Sequence, residues 1–171
     1  MGDVKMSNLE EAFLKLINLI LKKGTHNKSS EVALKCIYLF YNNTSDLTLK
    51  NAFDFYIKKS KTNEMDTQKL DAAISYVEEM IDNTKNIKML NDRNLPIILF
   101  VANLAIEKGM PKQIFTLYTE GFFDLLKSNQ IFDQLAISYI QLLNFGSMRC
   151  ENVQKRIQIL AENHGIEYIY K

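Results

Sequence analysis

The chain has 171 residues, a formal net charge of +1, 47% hydrophobic and 24% charged residues. That length suits the core of one domain, and the balance is that of a folded globular protein rather than a disordered one. No overall field draws it to nucleic acid or an anionic membrane, so any such contact would have to be local.

The opening MGDVKMSNLEE lacks a cationic segment followed by an apolar stretch, and Met6 stands where an N-myristoylation pattern wants Ser or Thr. Neither a secretory leader nor a lipid anchor is expected. Leu9, Ala12, Phe13, Leu16, Ile17, Ile20 and Leu21 recur at helical spacing. Ser7 with Glu10 forms a capping-box pattern, in which each side chain satisfies a backbone N–H of the first turn, and Gly24 is expected to end this helix.

Three more stripes follow: Ala33, Cys36, Ile37, Phe40 and Tyr41; Leu49, Ala52, Phe53, Tyr56 and Ile57; and Leu70, Ala73, Ile74, Val77 and Ile81. The polar clusters NNTSD and SKTNEMD separate them, each able to end one helix and cap the next. Residues 83–94 show no clean period and predict a mobile connection. Pro96 then opens LPIILFVANLAI, which is apolar on nearly all sides. It is too short to span a bilayer, which needs about 20 residues, and predicts a central core helix.

Gly109 and Pro111 mark a turn into a helix carrying Ile114, Phe115, Leu117 and Tyr118, continued by Phe122, Phe123, Leu125 and Leu126. Gly121 between them is expected to kink or divide it, since a mid-helix glycine costs about 1 kcal/mol relative to alanine. Leu135, Ala136, Tyr139, Ile140 and Leu143 form a further stripe, and Val153, Ile157 and Leu160 mark a last helix before Gly165 and a short tail. The reading is a single all-α domain over 1–171, a compact bundle of about eight helices; a short α-solenoid of helical hairpins is the alternative.

Chemical motifs are sparse. Cys36 and Cys150 form no C-x-x-C pair; a buried Cys36, a half-exposed Cys150 and a reduced, cytoplasmic protein are expected. His26 and His164 lack partners at metal-ligand spacing, and each adjoins a helix-ending glycine, which predicts a capping or solvent role. Nucleophile-elbow, Walker and dinucleotide-binding patterns are missing. No catalytic residue, metal ligand or cofactor site can be named, and the expectation is a protein without enzymatic activity.

The remaining candidate is FGSMRCENVQKRIQIL. A helix stop at Gly146 leads through Ser147 to a new helix near Cys150, whose free N–H groups would favour an anion. Ser147, Arg149, Lys155 and Arg156 are therefore the candidate contacts for an anion or nucleic acid, against the alternative that Ser147 shapes the turn and the charged residues face water. The same segment, with EVALKCIYLFYNNTSDLTLKNAFDFYIKK and LPIILFVANLAIEKG, resembles the helical domain that follows the ParB-like nuclease domain in GmrSD-type restriction proteins and their relatives. Lys35 and Cys36 depart from the Leu-Arg-Phe run of that pattern, and the nuclease domain has no counterpart here. The resemblance implies a non-catalytic accessory module of a bacterial defence-type protein, binding nucleic acid or a partner. A helical adaptor for a protein or peptide is the other expectation; a protein partner is expected, nucleic acid is possible, and no membrane contact is.

Overall fold

A computed structural model describes residues 5–22, 28–62, 65–128 and 132–170. Among these, eight α-helices and no strand are found: α1 Asn8–Leu21, α2 Ser29–Tyr41, α3 Leu49–Ser60, α4 Gln68–Asn83, α5 Leu95–Glu107, α6 Lys112–Lys127, α7 Gln134–Asn144 and α8 Cys150–Asn163. The expected all-α bundle is what the chain forms. Helices far apart in sequence pack together, α2 on α5, α5 on α8 and α1 on α4. In a solenoid each unit would touch only its neighbours, so the hairpin-array alternative falls.

The predicted capping box closes α1, with Ser7 Oγ accepting from Glu10 N–H and Glu10 accepting from Ser7 N–H. The expected stop at Gly24 and the histidine His26 lie outside the described residues. Thr48 and Asp133 cap α3 and α7 through their side-chain oxygens. Such caps satisfy N–H groups that the helix itself leaves orphaned.

Helix α5 is central as its composition predicts, but α2 shares that position. Residues Val32 to Leu39 of α2 are all buried, including Lys35, whose ammonium is held by Glu31 at 3.0 Å and Asp92 at 3.3 Å. The predicted Ala33–Tyr41 stripe was too narrow because α2 is packed by α1, α3 and α5 together. Residues 83–94 are also tighter than a mobile connection. They contain a 3₁₀ turn, Ile87–Met89, and bury Asn86, Leu90 and Asn94; the Asn86 amide donates to Glu120 at 2.8 Å and Asp124 at 3.0 Å on α6.

Helix α6 runs unbroken through Gly121, so the glycine does not divide it. Its apolar residues divide into two faces: Phe115, Phe122 and Phe123 are buried, while Ile114, Leu117, Tyr118 and Leu125 are exposed. The burial of three phenylalanines on one side outweighs the local cost of one glycine. Helix α3 departs further from its predicted stripe. Only Ala52 is fully buried, and Leu49, Phe53 and Ile57 stand exposed.

Candidate functional site

The turn between α7 and α8 depends on Gly146, whose φ of +62° lies in the left-handed region that side chains disfavour. A Cβ there would also come within 3.2 Å of the Arg149 side chain and 3.3 Å of Asn152. Asn152 Nδ2 donates to the Phe145 and Gly146 carbonyls, tying the turn to the first turn of α8.

In the structure the start of α8 meets a carboxylate from the chain itself. Cys150 N–H, at the start of α8, donates to the carboxylate of Asp46 at 2.7 Å. Beside it, Leu47 N–H donates to the Met148 carbonyl at 2.7 Å. The helix N-terminus thus already holds a negative charge, supplied 104 residues earlier in the chain. A carboxylate at that end is favoured by both the free N–H groups and the helix dipole. Asp46 was not legible as a partner, because only the fold carries the NNTSD loop to this turn.

The three cations do not share a face. Arg156 is 0% exposed. Its guanidinium donates to the Arg93 carbonyl at 2.7 Å and to the Ser147 carbonyl, and stacks over the Tyr139 ring at 5.9 Å. Burial pulls its pKa down, while Tyr139 and Asp92 oppose that shift. No carboxylate lies within ion-pair distance of it among the described residues, and its Nε has no hydrogen-bond partner there. Arg156 therefore works as an internal strut joining α8, the entry to α5 and the turn. Lys155 is exposed but ion-paired with Glu151 at 3.0 Å, and Arg149 lies over the exposed Phe145 ring at 5.9 Å. Ser147 contributes its carbonyl to Arg156.

His164 does occupy the C-cap of α8, yet its ring is buried rather than solvated. Nδ1 lies 2.7 Å from the Leu160 carbonyl and Nε2 2.9 Å from the Thr119 hydroxyl, with the Phe115 ring 5.1 Å away. Burial lowers its pKa, against the pull of the backbone carbonyls, which works against a cation at the helix end.

Both cysteines are free, Cys36 buried and Cys150 half-exposed as expected. Burial pushes the Cys36 thiol far up, which removes it from nucleophilic chemistry. Among the described residues no group of three His, Cys, Asp or Glu side chains converges as a metal site. No helix there is long and apolar enough to cross a membrane.

Several clefts carry side chains of mixed character, among them one of about 410 Å³ lined by Glu162, Ile166, Glu167 and Tyr168. One of about 710 Å³ lies between α1 and α4, and its charges pair across it, Lys15 with Asp71 and Lys22 with Glu78. Another, about 420 Å³, runs between α7 and α8 over Leu135, Leu142 and Ile159. The α1–α4 cleft also carries Ser75, whose hydroxyl accepts from Lys112 Nζ. An exposed apolar row also lines the outer face of α6, where Leu117 is 66% exposed. Compared with known proteins, the chain matches no family model, no curated protein and no solved structure.

Proposed function

We propose that this chain is a non-catalytic helical interaction domain that binds a protein partner along the outer face of α6. The observation that carries this reading is the row Ile114, Leu117, Tyr118 and Leu125, exposed and uncharged around Gly121. Apolar and tyrosine side chains without charge are the composition of protein-interface cores. Gly121 supports the same reading. It sits in an unbroken helix and a Cβ placed on it would meet nothing within 4 Å. The chain's own packing therefore has no need of glycine there, whereas a partner approaching closely would.

The α7–α8 groove over Leu135, Leu142 and Ile159 favours a second reading, an adaptor that holds a short apolar peptide segment. A place in a bacterial defence-type protein is supported by the sequence resemblance alone. Nucleic-acid contact through Ser147, Arg149, Lys155 and Arg156 draws little support, since only Arg149 remains an outward cation without a carboxylate partner among the described residues.

A photo-crosslinking residue placed at Leu117 in cells, with Glu11 on α1 as the control position, tests the α6 face. The expected result is a discrete adduct with one other protein from position 117, none from position 11, and loss of the adduct in Gly121→Leu. Equal labelling from both positions, or adducts indifferent to Gly121→Leu, would overturn the reading.

A further inference from the structure

Helix α3 leaves a different kind of surface open. Leu49, Phe53 and Ile57 fall at i, i+4 and i+8 and are 43%, 52% and 38% exposed. Residues at that spacing form one continuous ridge along a helix. Lys50, Lys58 and Lys61 stand exposed on one flank of the ridge, and none is within ion-pair distance of a carboxylate among the described residues. On the other flank Lys59 lays its ammonium over the Phe55 ring at 5.9 Å. Asp54 is the one acid of the helix. Four lysines against one aspartate give α3 and its C-cap a positive field that the chain's net charge of +1 conceals.

The occupant of such a face must be anionic and must also receive apolar side chains. A nucleic-acid backbone meets the first demand but has no place for Leu49, Phe53 and Ile57. Protein-interface cores are enriched in arginine and depleted in lysine; this face sets its apolar ridge among lysines and carries no arginine. A lipid surface meets both demands. Phenylalanine and aliphatic side chains enter the acyl boundary, while lysine stems run along it and carry their ammonium groups to the phosphates.

We infer that the outer face of α3 is a shallow docking site for bilayer surfaces rich in anionic lipid, with Leu49, Phe53 and Ile57 inserted and Lys50, Lys58 and Lys61 at the headgroups. The contact lies in the interface plane and requires no spanning helix. It is independent of the protein-partner reading of α6, so either can fail alone.

The test is co-sedimentation of the full chain with phosphatidylcholine vesicles, with and without about one-third phosphatidylserine. The protein should pellet with the anionic vesicles, remain in solution with the neutral ones, and dissociate as salt rises. Phe53→Ser and the triple change Lys50→Gln, Lys58→Gln, Lys61→Gln should each lower the bound fraction at least roughly fivefold. Leu117→Ser, a more exposed apolar change on α6, should leave it unaltered, and far-UV circular dichroism should show all three variants folded. No preference for anionic vesicles overturns the inference. So does a folded Phe53→Ser or triple-lysine variant that binds as well as the parent, or a DNA duplex or acidic peptide that binds through these residues while vesicles do not.

Discussion

Helix α5 buries eight of its thirteen residues, whereas the twelve-residue α3 fully buries only Ala52. Both present apolar side chains at helical spacing. Their neighbours differ: α5 is packed by α2, α4, α6 and α8, while α3 lies mainly on α2 with a lighter contact to α1. Hydrophobic free energy is released only where another element removes the surface from water. An identical kind of stripe is therefore core in one helix and unpartnered surface in the other.

Interior and edge positions should separate sharply when altered. The largest effect is expected at Arg156, because Arg156→Ala would empty a fully buried site and leave the Arg93 and Ser147 carbonyls without their donor. A loss of about 4 kcal/mol in urea unfolding is expected; a loss below about 1 kcal/mol would show that the strut is dispensable. Leu99→Ala on α5 should cost about 3 kcal/mol through its cavity, measured in the same way.

His164 offers a comparison through pH. Burial holds its pKa below the ordinary 6.5, so the unfolded chain takes up a proton first. Stability should fall as pH drops through 6.5 towards the lower folded value, and level off below it. Denaturation midpoints at about pH 7.5 and about pH 5 should differ less in His164→Gln than in the parent, since that variant removes the titrating ring. An unchanged difference would place the acid sensitivity elsewhere.

Smaller effects belong to the ends and edges of helices. Ser7→Ala breaks the α1 capping box and should cost about 1 kcal/mol. Phe53→Ser on α3 should change stability by about 0.5 kcal/mol or less; a loss as large as that of Leu99→Ala would mean that α3 is part of the core after all, and would erase the contrast with α5.

The eight helices of the described residues were legible, seven from periodicity and α5 from Pro96 and its apolar run, and Ser7 with Glu10 announced the cap of α1. The site was legible only in part. Gly146 and the start of α8 could be read locally, but the anion expected there is Asp46, and the side chain expected to reach outward, Arg156, turns inward. Local spacing says nothing about which distant segment arrives at a helix end. Gly121 does not divide its helix for a related reason, because Phe115, Phe122 and Phe123 pack on other elements.

Residue order alone determined where this chain is helical, because caps, glycine turns and the 3.6-residue period act within a few residues of one another. Tertiary structure alone decided which stripes are covered, which charges are internal and which remain free. Those outcomes depend on desolvation by elements brought together from far apart in the chain. Arg156 beneath the α7–α8 turn and the open lysines of α3 are two results of that same rule.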